Sequence, residues 1–429
     1  MRELISNWID YILWGVLIVL PTAISFLDIN NLFSPFKFPI LIGLSTLVLI
    51  LVIINKKVKW DFLSYCAVLW LSLVFLASLN AYNQELAFLG FIEGYGRYEG
   101  FISLACYVIL WFAAKNFLIV TYKRILIWFI GMIPFALYAL VQYYGYDPLV
   151  LNYGFTPRIF STIGNQNFVG SLAVILVVFS SVLFVSSKNW LFFIFSLLFF
   201  STLVVCQTRS AWVACSLVMV LFMLDQVIRK RNFYFPSFLI IGFVLVGVIL
   251  VTSKHDNSVV QKSKTISKEL NLSNEYGGSG RLKIWSITAK VISANPWTGV
   301  GPENLKVAIK KEQPKLYNEY YKRTKTTIDK AHNEYLHMAA TCGIPTLAVY
   351  LIVLGTILVS FVRSGGKSFI RLAFFLTVIA YLIQAFFNIS VVAVAPVFWI
   401  LLGGLAGDLF ISQKLVNENN QENQVEVIE

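Results

Sequence analysis

Residues 167–186 read NFVGSLAVILVVFSSVLFVS, which is twenty positions without one charged side chain. An α-helix rises about 1.5 Å per residue, so roughly 20 apolar residues cross the ~30 Å hydrocarbon layer of a bilayer. This stretch therefore predicts a membrane-spanning helix.

Comparable apolar runs recur along the whole chain of 429 residues. They lie near 9–27, 36–54, 62–79, 100–119, 124–144, 167–186, 189–206, 211–228, 235–252, 334–362, 369–387 and 390–411. The composition agrees with them, because 58% of the residues are hydrophobic and only 13% are charged. A soluble domain is nearer a quarter charged. We predict an all-α polytopic membrane protein with about twelve transmembrane helices.

Lysine and arginine in the short connections predict the orientation, because such residues collect on the cytoplasmic side. One set of connections is strongly basic and includes Lys56, Lys57, Lys59, Lys115, Lys123, Arg124, Lys188, Arg229, Lys230, Arg231, Arg363, Lys367, Arg371 and Lys414. The alternate connections hold only Lys37, Arg97, Arg158 and Arg209. The first set is predicted to be cytoplasmic, with both termini on the cytoplasmic side of the plasma membrane.

This orientation divides the chain into four parts. Residues 1–252 are predicted to form transmembrane helices 1–9, and 334–411 to form helices 10–12. Residues 253–333 form a long extracytoplasmic loop, which we expect to fold as a partly helical cap. The loop is basic, but loops beyond about 60 residues translocate largely regardless of charge. The polar tail 412–429 is predicted to be disordered and cytoplasmic.

Inside the loop, Arg281–Asn295 (RLKIWSITAKVISAN) has apolar residues at helical spacing. Such a helix could lie flat on the membrane surface. Asn295-Pro296 ends it, because proline disfavours helix at the residue before it.

Four arginines lie in the predicted outer connections and the loop, namely Arg97, Arg158, Arg209 and Arg281. Each one alone is explained by a side chain that reaches the polar interface. Together they could line one outward-facing anionic site, because guanidinium groups bind phosphate oxygens in pairs and stay charged. A lipid-linked diphosphate is the ligand that fits such a site.

The three histidines, His255, His332 and His337, lie in or just after the loop. His332 and His337 are five residues apart and do not share a helix face. The five cysteines show no metal-ligand spacing and are expected to be small core residues. We therefore expect no metal and no cofactor. His332 could accept a proton from an attacking hydroxyl, because an ordinary histidine titrates near neutrality. For His255 and His337 we expect structural roles.

Four motifs in order resemble the O-antigen ligase and O-antigen polymerase superfamily, which includes bacterial O-oligosaccharyltransferases. They are Thr208-Arg-Ser-Ala211, Gly280-Arg-Leu-Lys-Ile-Trp285, Asn295-Pro-Trp-Thr-Gly-Val-Gly301 and His332-Asn-Glu-Tyr-Leu336, with Gly343-Ile-Pro345 after them. The resemblance is strongest over 160–350. Pro345 stands where the family pattern has a second small residue, a departure that touches no functional residue.

The resemblance implies a bacterial membrane glycosyltransferase with its active site on the extracytoplasmic face. Its donor would be a glycan on undecaprenyl diphosphate, and its acceptor a hydroxyl on a lipid, a glycan or a protein. The expected partners are this donor, this acceptor and the lipid bilayer, and binding of nucleic acid is not expected. Arg209 and Arg281 match the family arginines at the diphosphate, and His332 matches the histidine near the acceptor hydroxyl. As substrate-binding residues we add Arg97, Arg158, Asn165, Asn167 and Glu303.

The expected reaction is metal-independent and inverting, with the acceptor hydroxyl attacking the anomeric carbon. Glu303, Asp329 and Glu334 are alternative bases. A ligase or O-oligosaccharyltransferase is the favoured type, because the long loop lies late in the chain, and a repeat-unit polymerase is the alternative. A lipid-linked glycan flippase is a further alternative, but transporters place polar groups near mid-membrane, whereas these arginines collect at one face.

Overall fold

The computed structural model describes residues 1–25, 33–90, 97–149, 159–229, 231, 233–253, 280–364, 368–407 and 410–411. Within these ranges helices dominate, and the strands are two segments of two residues each. The predicted all-α membrane architecture is confirmed.

Eighteen helices lie in the described ranges. They are α1 (Arg2–Thr22), α2 (Ser34–Asn55), α3 (Phe62–Leu79), α4 (Gln84–Leu89), α5 (Phe101–Phe117), α6 (Tyr122–Gly131), α7 (Ile133–Tyr143), α8 (Gln166–Ser187), α9 (Trp190–Val205), α10 (Arg209–Ile228), α11 (Tyr234–Thr252), α12 (Arg281–Ala294), α13 (Leu305–Glu312), α14 (Pro314–Thr324), α15 (Glu334–Cys342), α16 (Ile344–Arg363), α17 (Phe369–Ala385) and α18 (Ala395–Ala406). The strands β1 (Ile119–Val120) and β2 (Phe410–Ile411) pair in parallel.

Eight helical segments in the described ranges are long and apolar enough to cross a membrane. They are Arg2–Thr22, Pro35–Asn55, Phe62–Leu79, Tyr122–Tyr143, Gln166–Ser187, Arg209–Ile228, Tyr234–Thr252 and Ile344–Arg363. Four shorter apolar helices, α5, α9, α17 and α18, accompany them. The number of twelve spans stays a prediction. The run near 334–362 is divided, because α15 ends at Cys342 and α16 starts at Ile344, so α15 lies outside the eight segments.

Helix α8 is the centre of the bundle. Asn165 caps it by accepting a hydrogen bond from the backbone N–H of Asn167 at 2.9 Å. All of its apolar stretch is buried, with α9, α10 and α17 packed around it. A helix that is apolar on every side belongs in such a position.

The outer helices turn apolar side chains away from the protein. On α11, Ile240, Ile241, Val244 and Val248 are about half exposed and share one side of the helix. In a soluble protein such a stripe would need a partner, whereas in a membrane it faces lipid tails.

The last helix packs closely against α5. A side chain at Gly403 would meet the backbone oxygen of Trp111 at 2.4 Å, and one at Gly407 would meet that of Lys115 at 2.2 Å. Only hydrogen fits at these positions, and small residues of this kind let membrane helices approach closely. Beyond α18, β2 pairs with β1, which directly follows α5.

Contacts along the bundle separate two ends. At one end, Asn55 donates to the backbone oxygen of Arg2 at 2.9 Å, and Lys115 pairs with Asp61 at 2.8 Å. The buried Asp10 pairs with Arg124 at 2.6 Å at the same end. This end gathers several of the basic connections that the sequence assigns to the cytoplasm. The side of the membrane on which it lies stays a prediction.

At the opposite end, the described part of the long loop, 280–333, holds α12, α13 and α14 around a second core. Ile284, Ile287 and Val291 of α12 pack in this core with Leu305 and Ile309 of α13. The apolar side of α12 therefore contacts protein, and the expectation that it lies flat on the membrane surface is wrong.

The turn after α12 is locked to the end of α15. Val300 N–H donates to Ala340 at 3.1 Å, and Ile344 N–H donates to Pro296 at 2.8 Å. Gly343 has a φ of +88°, and a β-carbon there would meet the backbone oxygen of Trp297 at 2.2 Å. Glycine is thus required by both the backbone angle and the available space.

Candidate functional site

Two helices start with arginines whose charges interact. Arg209 is the first residue of α10, and Arg281 is the first residue of α12. Burial lowers the pKa of the Arg281 guanidinium, and the positive charge of Arg209 lowers it further. The first turns of helices also present unpaired backbone N–H groups and the positive end of the helix dipole. The region thus concentrates positive charge from two sources.

Chain segments far apart in sequence fix the position of Arg209. The hydroxyl of Thr208 donates to the backbone oxygen of Gln166 at 2.8 Å, which joins the starts of α8 and α10. A β-carbon at Gly170 would lie 2.7 Å from the Thr208 side chain. Holding two guanidinium groups close together costs Coulomb energy, and a bound anion offsets that cost.

His332 lies near enough to Arg281 for the charge of the guanidinium to act on the imidazole. Burial lowers the pKa of its imidazole to about 4, with a further contribution from Arg281. Asp329 acts in the opposite direction, while Arg97 and Lys330 add to the lowering. The imidazole is therefore neutral at neutral pH and can accept a hydrogen bond from a hydroxyl.

The neighbours of His332 in the chain are held on both sides. Trp285 of α12 donates its indole N–H to the backbone oxygen of Ala331 at 3.0 Å. Asn333 caps α15 by accepting from the N–H of Leu336 at 2.9 Å. The backbone is therefore held directly before and directly after His332.

Arg97 joins the same region through Asp329. Its guanidinium pairs with the Asp329 carboxylate at 3.0 Å, and the Asp329 side chain is 43% exposed. The other terminal nitrogen, Nη1, is buried and has no hydrogen-bond partner among the described residues. A buried donor of this kind is available to an incoming acceptor atom.

Strained backbone angles occur at His332 and within two residues of Arg97 and Arg209. Tyr98, Gln207, Glu303 and His332 all have φ values between +51° and +60°. Residues with a β-carbon avoid this region, and such strain concentrates at functional sites because the surrounding structure must enforce it.

A group of buried charges lies next to His332 along the chain. Lys330 is ion-paired with Glu303, and both side chains are less than a tenth exposed. They line a cavity of about 60 Å³ together with Glu99, Glu334 and His337. Glu99 and Lys330 were not predicted as site residues from the sequence, and His337 was expected to have a structural role. The sequence feature that could have identified them is a charged side chain close to a candidate site residue. Glu99 is two positions from Arg97, and Lys330 is two positions from His332.

The remaining predicted site residues have different outcomes. Asn165 is the cap of α8, and the backbone oxygen of Asn167 accepts a hydrogen bond from Asn388 at 3.3 Å. Roles for Asn165, Asn167 and Glu303 in substrate binding stay predictions. Arg158 and His255 lie outside the described residues. Within the described ranges, no three His, Cys, Asp or Glu side chains are grouped so that they could hold a metal ion.

Comparison with protein families matches residues 194–351 to the family described as O-antigen ligase. The match begins in α9 and ends in α16, so it includes Arg209, Arg281 and His332. The superfamily predicted from the sequence motifs is confirmed. None of the curated proteins compared with the chain matches it.

Proposed function

Because residues 194–351 carry an O-antigen ligase family domain, we propose that this membrane protein transfers a glycan from a polyprenyl diphosphate carrier to an acceptor hydroxyl. The carrier expected in a bacterial membrane is undecaprenyl diphosphate. We place the reaction on the extracytoplasmic face and favour a ligase or O-oligosaccharyltransferase over a polymerase.

The observation that supports the proposal is that Arg281 interacts electrostatically with both Arg209 and His332. Two guanidinium groups at helix starts supply charge and donors for a diphosphate. A neutral imidazole beside them can accept a hydrogen bond from a hydroxyl. These parts are the ones required for attack of a hydroxyl on a sugar bound to a diphosphate.

In the proposed reaction, the acceptor oxygen forms a bond to the anomeric carbon while the bond from that carbon to the diphosphate oxygen breaks. The diphosphate leaves with the electron pair, and Arg209 and Arg281 stabilise the charge that develops on it. His332 orients the attacking hydroxyl. Attack opposite to the leaving group inverts the anomeric centre.

The test is reconstitution of the purified full-length chain in liposomes with an undecaprenyl-diphosphate-linked oligosaccharide and three candidate acceptors. Mass spectrometry would identify the product. A glycan on a lipid core or a protein side chain supports the ligase type, and a glycan on a second carrier lipid supports the polymerase. Transbilayer movement of the donor with no transfer to any acceptor would reject the enzyme and support a flippase.

A further inference from the structure

The cavity beside His332 contains more acidic groups than basic ones. Three carboxyl groups, those of Glu99, Glu303 and Glu334, line it together with Lys330 and His337. The Lys330 ammonium pairs with Glu303. Glu99 and Glu334 therefore face the same small space without a lysine or arginine paired directly with either among the described residues.

Tyrosine hydroxyls hold these two carboxyls in place. Tyr107 of α5 donates to Glu99 at 2.5 Å, and Tyr381 of α17 donates to Glu334 at 3.3 Å. Each carboxyl is thus fixed by a neutral donor from a different helix. In the described part of the chain, the charged or titratable groups near the pair include Glu303, Lys330, His337, Tyr107, Tyr381, Cys342, Tyr335 and Tyr350.

Two close carboxyls in a buried space resist ionising together. Burial raises the pKa of Glu99 to about 7. Burial raises the pKa of Glu334 to about 8, with the charge of Glu99 adding to the effect. A base is most effective when its pKa lies near the working pH. His332, with a pKa near 4, is a much weaker proton acceptor than either carboxyl.

The cavity is also close to His332, because Lys330 and His337, which line it, are near enough for their charges to act on that imidazole or be acted on by it. Lys330 and Glu334 flank His332 in the chain, two residues away on each side, and both line the cavity. Nδ1 of His337 is buried there and has no hydrogen-bond partner among the described residues. A volume of about 60 Å³ holds more than one water molecule, and polar groups that lack partners retain such water.

We propose that Glu334 and Glu99 are the proton acceptor of the transfer reaction, reached from the acceptor hydroxyl through water in this cavity, while His332 only orients that hydroxyl. As the acceptor oxygen bonds to the anomeric carbon, its O–H bond breaks and the proton passes through water to whichever carboxyl is ionised. The diphosphate leaves with the electron pair of the broken sugar bond. This inference rests on the proposed glycan transfer.

The experiment measures single-turnover transfer by the full-length chain in liposomes, with Glu334→Gln and Glu99→Gln compared with the wild type across pH. Glutamine keeps the shape and can still accept from the tyrosine, but it cannot take up the proton. The carboxyls accept a proton only when ionised, so the wild-type rate should rise as pH increases through about 7 to 8. Each single variant leaves the other carboxyl as acceptor and should slow transfer, whereas the double variant Glu334→Gln with Glu99→Gln should lower the rate about 10²–10⁴-fold and remove most of this rise.

Two further measurements separate proton transfer from a structural role. Donor affinity should be unchanged in Glu334→Gln, and an acceptor with an acidic hydroxyl, such as a phenol, should restore most of the lost rate. The matched control is Glu319→Gln, which removes a carboxylate from the exposed side of α14 and should behave as the wild type.

The outcomes distinguish failure of the proposed proton acceptor from failure of the proposed glycan transfer. A wild-type rate and pH dependence in the double variant Glu334→Gln with Glu99→Gln would overturn the proposal while leaving glycan transfer established. A slow variant that loses donor affinity and is not restored by the acidic acceptor would also overturn it, because its defect would be structural. Absence of transfer by the wild type with every acceptor would reject the proposed function itself.

Discussion

Arg281 shows how one residue combines two structural properties. It begins a helix that packs in the second core, and it lies within the field of Arg209 on a different helix. The sequence shows that residue 281 is an arginine, but it does not show that this side chain lies near Arg209, because 71 residues lie between them. The motifs predicted which arginines to choose, and the fold brings them together.

We expect Arg281→Ala to reduce glycan transfer about 10²–10³-fold, the usual loss when one donor to a developing anion is removed. Arg281→Lys should retain more activity, because it keeps the charge but loses paired hydrogen bonding. Transfer would be measured at saturating donor. The control is Lys322→Ala, an exposed cation of α14. Near-native transfer by Arg281→Ala would remove Arg281 from the mechanism.

The ion pair between Lys330 and Glu303 gives a second prediction at this scale. Lys330→Met leaves the Glu303 carboxylate buried and unpaired, which should cost about 3–5 kcal/mol. The double variant Lys330→Met with Glu303→Gln removes both charges and should recover most of that stability. Thermal unfolding in detergent would measure both. Equal melting temperatures for the single and double variants would contradict a buried ion pair.

At the scale of elements, the turn between α12 and α13 and the end of α15 form one unit. Backbone hydrogen bonds join them, and Gly299 and Gly343 allow the two segments to touch. This unit holds Glu303 on one segment and follows His332 on the other. The sequence predicted the turn from Gly299, Gly301 and Pro302, but it could not show that α15 is its partner, because that pairing depends on tertiary contacts.

Gly343→Ala should lower the melting temperature, because the new β-carbon would meet the Trp297 oxygen at 2.2 Å and the backbone has a φ of +88°. Strain at such a position costs on the order of 1–3 kcal/mol. Glycan transfer should fall as well, because Glu303 and His332 are positioned by this unit. The matched control is Gly355→Ala in α16, where no atom lies within 4 Å of the new carbon. Equal melting temperatures for Gly343→Ala and Gly355→Ala would show that position 343 tolerates a side chain.

For the whole molecule, hydropathy was sufficient to predict an all-helical membrane protein. Hydropathy predicted the helix boundaries less well, because the apolar run continues through Gly343, where α15 ends and α16 begins. The apolar positions of α12 were assigned to the membrane surface, since periodicity identifies a buried face but not its partner. Glu334 was predicted as an alternative base, but its nearness to Glu99 was hidden, because the two residues lie on segments that the sequence alone does not bring together.

Orientation can be tested directly. In a variant without its native cysteines, Lys322→Cys of α14 should react with a membrane-impermeant maleimide added to intact cells. Lys57→Cys, in the basic connection after α2, should react only after permeabilisation. Both side chains are exposed, so access to solvent does not distinguish them. The opposite labelling pattern would invert the predicted topology and place the candidate site in the cytoplasm.

The close contact between α18 and α5 can form only late in the synthesis of the chain. Helix α5 is synthesised about three hundred residues before the glycines at 403 and 407 that fit against its backbone. During that interval the surface of α5 that later receives them must be covered by lipid or by an insertion factor. The β1–β2 pairing can form only when synthesis is nearly complete. Chains released early would therefore retain an open groove along α5, a feature by which membrane quality control could distinguish them from finished protein.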